Sequence, residues 1–194
     1  MFINWALKEI NLKIVYYGPG LSGKTTNLEY IYKSVDPSLR GDLIALKTRE
    51  ERTLYFDFLQ LEVGRIKEMR PKFNLYTIPG QIYYAQSRRI ILRGVDGVVF
   101  VADTQKHRML ENLDSLLDLE ENLIDEGKSL ENFPWVLQYN KRDLPMIFSK
   151  TEMEKKLNFL KVPAIDAVAS EGGGVVDTLK LIIHKVIGHV QQTI

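Results

Sequence analysis

Apolar runs rich in β-branched and aromatic residues recur along the chain, with helical patterns between them. Ile10–Tyr17 predicts a first strand and Thr25–Val35 a helix. Leu54–Leu61 (LYFDFLQL) and Lys72–Ile78 (KFNLYTI) predict two strands joined around Gly64. So short a connection predicts an antiparallel pair at a sheet edge. Gly97–Asp103 (GVVFVAD) is almost continuously apolar, the pattern of a strand buried on both faces. Met109–Glu126 places Leu110, Leu113, Leu116, Leu117, Leu123 and Ile124 at helical spacing. Pro134–Tyr139 predicts another buried strand, Thr151–Phe159 a shorter helix, and Pro163–Val168 the last strand. Val175–Val190 predicts a final helix with Leu179, Ile182, Ile183 and Val186 on its apolar face. This alternation predicts an α/β three-layer fold around a mostly parallel, six-stranded sheet. Ile3–Leu12 is mildly apolar and predicts an additional N-terminal strand in preference to a short helix lying on a membrane. Residues 36–53 are polar and read as a long loop, a kind more often functional than not.

Composition narrows the function classes. The 194 residues, without repeats or a linker-like tract, predict one domain over 1–194. Lys plus Arg number 26 against 25 Asp plus Glu, a balance that gives no general attraction to nucleic acid or an anionic membrane. The absence of cysteine excludes disulfides, thiolate metal sites, a cysteine nucleophile, prenylation and palmitoylation. The Met-Phe start excludes myristoylation, and the first dozen residues lack a signal-peptide pattern. The expectation is a cytoplasmic protein without a lipid anchor, touching membranes at most peripherally. His107, His184 and His189 have no metal-binding spacing, and no Ser/His/Asp arrangement stands out.

Between the first strand and the first helix lies Gly18-Pro-Gly-Leu-Ser-Gly-Lys-Thr25, a full match to G-x-x-x-x-G-K-[ST]. Glycines let such a loop wrap closely round a polyphosphate. The backbone N–H groups of Gly20, Ser22, Gly23, Lys24 and Thr25 can then face the oxygens. The helix adds the positive end of its dipole. Leu21 and Thr26 complete the lining, Lys24 is expected on the β- and γ-phosphates, and the Thr25 hydroxyl on Mg²⁺.

A loop that grips phosphate does not choose the base. Asn140-Lys-Arg-Asp143, directly after PWVLQY, can. An Asp143 carboxylate accepts from both N1–H and the 2-amino group of guanine, whereas adenine offers an unprotonated N1 and no 2-amino group. Asn140 can tie this loop to the phosphate loop, and the Lys141 stem can pack on the base. Ala167-Val168-Ala169-Ser170, after the last strand, resembles a second guanine loop, with the Ala169 N–H available to the base O6.

These motifs, in this order, resemble a Ras-like small GTPase of the P-loop NTPase fold over nearly the whole chain. Residues 16–27, 51–58, Tyr76-Thr-Ile-Pro-Gly-Gln81 and Leu92-Arg-Gly-Val-Asp-Gly97 resemble the bacterial MglA family of polarity and gliding-motility GTPases. The resemblance implies a switch between GDP and GTP forms, an MglB-like Roadblock-domain activator, and downstream polarity or motility effectors. It also implies site roles. Thr53 matches the switch I threonine that completes the Mg²⁺ shell. Gly80 matches the glycine whose N–H senses the γ-phosphate, and Gln81 the glutamine that orients the attacking water. Arg52 matches an arginine taken to act in cis on the transition-state charge, with Arg49 second in line.

Most small GTPases carry an aspartate where this chain has Thr77. Asp57 or Asp103 can replace the missing charge, and the sequence does not choose between them. Tyr83 and Tyr84 are candidate partner anchors beside the second switch. Phe56 and Phe58 share one strand face and are at least as well placed for the core. Three other readings remain: a P-loop ATPase or nucleoside kinase, against which Asn140–Asp143 speaks, a GTP-binding scaffold that does not hydrolyse, and an Arf- or Ras-like membrane effector switch, which no expected lipid anchor supports.

Overall fold

A computed structural model describes residues 1–47, 53–79 and 85–193; the side chains of 45–47, 53–55, 85 and 193 are not described. In chain order the elements are β1 (Phe2–Asn4), β2 (Glu9–Tyr17), α1 (Lys24–Ser34), β3 (Ile44–Lys47), β4 (Thr53–Glu62) and β5 (Arg70–Thr77). Then come α2 (Ala85–Leu92), β6 (Gly97–Asp103), α3 (Met109–Asp125), β7 (Trp135–Asn140), α4 (Lys150–Leu157), β8 (Ala164–Asp166) and α5 (Val175–Thr193).

The sheet order is β3-β4-β5-β2-β6-β7-β8, with β1 also on β2. β2 runs parallel to β5 and β6, and β7 and β8 continue the parallel run. This is the expected α/β class, with the expected extra N-terminal strand and one strand that was not expected. β1 pairs antiparallel with Glu9–Asn11, on the flank of β2 that β6 leaves uncovered below Ile14. β3 pairs antiparallel with β4, so β4 and β5 are not the edge pair. The loop expected over 36–53 thus holds a short strand, IALK, and a 3-10 turn over Pro37–Leu39. Four residues between polar flanks are too short a run to announce a strand, and an existing neighbour supplies the pairing.

Alternation along β2 fixes the layers. Ile10, Leu12, Ile14 and Tyr16 face a core completed by α1 and α5, including Leu28, Ile31, Leu179, Ile182 and Val186. Val15 and Tyr17 face the opposite core with Leu116, Leu119, Leu123 and Met153. β6 and β7 are buried on both sides. A Cβ at Gly97 would come within 2.4 Å of Val186, so α5 packs tightly against this strand start. In α3 only part of the expected apolar face turns inward: Leu110, Leu117 and Ile124 are exposed. Phe56 and Phe58 flank Tyr76 at 5.7 and 4.9 Å between ring centroids, half-buried on one face as the alternation implies. No helix among the described residues is long and apolar enough to cross a membrane.

Candidate functional site

The parallel strands β2, β6 and β7 end together, and their following loops meet there. This is where an open α/β sheet places its ligand site. After β2 the chain turns through Gly18–Gly23 into α1. Two glycines are required by what lies against them. Gly18 has φ +136° and a Cβ there would stand 2.3 Å from the Val101 carbonyl oxygen. Gly23 has φ +99° and a Cβ there would stand 2.2 Å from Asn140 Nδ2. The two signature loops are therefore in direct contact.

Asn140 makes that contact a bridge. Its Nδ2 donates to the Ser22 carbonyl at 2.8 Å, and its Oδ1 accepts from the Ala169 N–H at 2.9 Å. One side chain thus joins three loops, as expected for the phosphate loop and further for 167–170. The Ala169 N–H differs from expectation: it serves this internal tie and is not left over for a base O6. Val168 is tied by its own N–H to the Gly173 carbonyl at 2.9 Å. Lys141 Nζ pairs with the fully buried Asp103 at 2.7 Å. Asp143 is exposed, with no hydrogen bond or ion pair among the described residues, so its carboxylate can accept from a ligand.

Lys24 is buried, and Nζ donates to the carbonyls of Gly18 (2.9 Å) and Pro19 (2.6 Å). Burial pulls its pKa from 10.5 to about 7; Asp57 opposes that fall, and Arg88, Arg108 and Lys141 add to it. A cation held this way lacks an anionic partner of full strength, and a polyphosphate would supply one.

At the start of α1, the Thr25 hydroxyl donates to Asp57 Oδ2 at 2.5 Å. Thr77 Oγ1 donates to the same oxygen at 2.7 Å and accepts the Asp57 N–H at 2.8 Å. Asp57 is fully buried, and its Oδ1 has no hydrogen-bond partner. Between the two carboxylates left open by the sequence, Asp103 is committed to Lys141 and, at 3.7 Å, to Arg108. Asp57 stands at Thr25. The antiparallel register, Phe58 opposite Tyr76, carries Asp57 across from Thr77 and so to the place where the usual aspartate is missing. A hydroxyl and a buried carboxylate with one unsatisfied oxygen fit Mg²⁺, a hard cation taking oxygen ligands. No cluster of three His, Cys, Asp or Glu among the described residues suggests another metal.

Arg49, Arg52, Gly80, Gln81, Tyr83 and Tyr84 lie outside the described residues, as does the side chain of Thr53. Two groups at the site escaped the sequence reading. Arg108, just before α3, reaches the Gly20 carbonyl at 2.7 Å. In α2, Arg88 forms a two-point pair with Asp118 at 2.7 and 3.2 Å, which also accepts from the Tyr17 hydroxyl just before the loop. Neither carries a local motif; both depend on α3 lying beside the loop. Behind the loop, buried Gln138 bonds Asn27 and Thr178, fixing α1 against β7 and α5.

Residues 1–185 match the ADP-ribosylation factor family. The chain is 52% identical over 191 residues, covering 98% of both chains, to the mutual gliding-motility protein MglA of Myxococcus xanthus. It is 25% identical over 176 residues, covering 88% of this chain and 77% of the other, to ADP-ribosylation factor-like protein 4D of Mus musculus. With the phosphate and guanine loops joined as described, the chain belongs to the ADP-ribosylation factor family as an MglA-like small GTPase, a guanine-nucleotide-binding switch that hydrolyses GTP.

Proposed function

We propose that this single domain, 1–194, is a polarity or gliding-motility switch working through one site. In it Gly18–Thr26 hold the phosphates, Asn140, Lys141 and Asp143 hold guanine with the Val168–Ala169 loop tied beside them through Asn140, and Thr25, Thr53 and Asp57 hold Mg²⁺. The observation that carries this reading is Asn140, whose amide group ties the Ser22 carbonyl to the Ala169 N–H and so builds base and phosphate recognition into one rigid unit. The motility role rests on the likeness to the Myxococcus xanthus protein.

Hydrolysis here is positioning and charge stabilisation. Lys24 meets the β- and γ-phosphates, and the Gly80 N–H reports the γ-phosphate. Gln81 orients the water for in-line attack. Mg²⁺, when bound, neutralises charge on the β- and γ-oxygens. Charge developing toward the β–γ bridge calls for one more cation, and an arginine so placed is worth ~10³–10⁵ in rate. Arg52, one residue before Thr53, fills that role in cis. A Roadblock-domain activator then need donate no residue; setting Arg52 against the phosphates is enough.

Single-turnover GTP hydrolysis, alone and with a Roadblock-domain protein from the same genome, tests this. The expected result is slow intrinsic turnover, stimulated by the partner and lost in Arg52→Ala with GTP still bound. Unchanged stimulated turnover in Arg52→Ala refutes the cis arginine. No turnover in the wild type under either condition favours a non-hydrolysing scaffold. Competition with ATP that displaces GTP returns the case to a P-loop ATPase or kinase.

A further inference from the structure

The tip of the phosphate loop is a strained β-turn. The Ser22 N–H closes back on the Pro19 carbonyl at 3.4 Å, which makes Gly20 and Leu21 the two central residues. Leu21 has φ +63°. A positive φ at the third residue is the mark of a type II turn, where glycine or asparagine is favoured. Leucine has a Cβ that makes this conformation costly. The relaxed alternative is a type I turn, reached by flipping one unit: the Gly20–Leu21 peptide. The α3 side of the loop leaves room for a flip, since a cleft of about 450 Å³ opens there between Gly20, Arg88, Arg108 and Asp118.

Something must hold that peptide. Among the described residues no backbone N–H bonds the Gly20 carbonyl. Arg108 does, through Nη2 at 2.7 Å. The guanidinium is itself braced on two sides, by Glu111 at 2.7 Å and by the buried Asp103 at 3.7 Å. Asp103 also holds Lys141 of the guanine loop. The peptide is trans, so its N–H points opposite to its carbonyl. Fixing the Gly20 carbonyl on Arg108 therefore turns the Leu21 N–H away from α3. After a flip the carbonyl dipole would take the place of that N–H, an acceptor where a phosphate needs a donor.

We propose that Arg108 is a positioning residue of the phosphate loop: it locks the Gly20–Leu21 peptide in its strained orientation, so that the Leu21 N–H is presented to the polyphosphate of a bound guanine nucleotide. This rests on the nucleotide site proposed above. It assigns Arg108 no contact with the reacting atoms.

The test uses the full chain, with fluorescently labelled GDP for release and GTP for single-turnover hydrolysis. Arg108→Ala is expected to speed GDP release and slow hydrolysis by about tenfold each, the order set by a left-handed penalty at a non-glycine residue. Adding Leu21→Gly removes that penalty, so the double variant should recover both rates to within about threefold of Leu21→Gly alone. A residue that merely supported the fold would not be rescued in this way. Arg108→Met, which keeps the aliphatic stem, replaces Arg108→Ala if the latter does not accumulate. Unchanged rates in the Arg108 variant, or a double variant no better than Arg108→Ala, overturn the proposal while the nucleotide site stands. A wild type that retains no labelled GDP overturns both.

Discussion

Asp57 and Thr25 meet through a 2.5 Å hydrogen bond, although they come from β4 and from the first turn of α1. A carboxylate thus reaches Thr25 from β4, one strand outward of β5, where small GTPases ordinarily carry an aspartate and this chain carries Thr77, which also bonds Asp57. Asp57→Asn should weaken GDP binding by ~10–100-fold in the presence of Mg²⁺, the range seen when a carboxylate supporting a metal site is lost. With Mg²⁺ chelated, variant and wild type should bind alike. Titration of labelled GDP under both conditions checks this, and an equal loss without Mg²⁺ refutes the metal role.

Thr77→Asp should not improve the site. A second carboxylate would sit against fully buried Asp57, and an uncompensated buried charge costs about 3–5 kcal/mol. The exchange Asp57→Thr with Thr77→Asp restores one acid and one hydroxyl to the same pair of positions. Urea unfolding should show Thr77→Asp strongly destabilised and the exchanged pair recovering most of the loss.

Lys24 should make nucleotide binding depend on pH. Its pKa in the unliganded protein lies at about 7, below the ordinary 10.5, because burial disfavours the cation. The folded value is lower than the unfolded one. Stability of the unliganded protein should therefore be least below pH 7 and rise between pH 7 and 10.5. Bound polyphosphate favours the cation, so binding above pH 7 takes up a proton and affinity declines as pH rises further. Calorimetry of GDP binding in buffers of different ionisation enthalpy should find uptake approaching about one proton at pH ~8 and near zero at pH ~6. Lys24→Met should abolish the difference.

On the proposed site, Asp143 selects the base. An amide in its place donates where the carboxylate accepted, so Asp143→Asn should turn from guanine toward xanthine, whose position 2 carries a carbonyl. Competition between GDP and xanthosine diphosphate should shift by about two orders of magnitude or more, because a mismatched donor or acceptor is left unpaired. Retained preference for GDP would remove Asp143 from base recognition.

The loops that carry the chemistry were readable because their residues are local: Gly18–Thr25 and Asn140–Asp143 each follow a strand within a few positions. What depends on register was not. Asp57 and Asp103 are both strand carboxylates, and only the pairing of β4 with β5 separates them. β3 has four residues, and its neighbour makes it a strand. In α3 the leucines repeat often enough for two faces, so spacing alone did not tell buried Leu116 and Leu123 from exposed Leu110 and Leu117. Arg108 lies 88 residues from its partner Gly20, beyond any local pattern.

Asn140 ties its own loop to the Gly18–Thr25 loop and to the 167–170 loop. Asn140→Ala leaves the Ser22 carbonyl and the Ala169 N–H without their side-chain partner in a buried setting, at about 1–3 kcal/mol for each unsatisfied group. The backbone of Asn140 is unaffected, since its carbonyl still accepts the Thr104 N–H and hydroxyl. The fold should persist with reduced stability, while the loops lose their common anchor. Asn140→Asp separates the two contacts: a carboxylate still accepts from the Ala169 N–H but faces the Ser22 carbonyl with an acceptor. It should therefore loosen the phosphate loop more than the 167–170 loop. Amide hydrogen exchange of the unliganded protein should show faster exchange at Gly20–Thr25 in both variants, and faster exchange at Ala169 in Asn140→Ala alone. Equal protection of the phosphate loop in wild type and Asn140→Asp would mean that the bond to the Ser22 carbonyl is not what joins the two halves of the site.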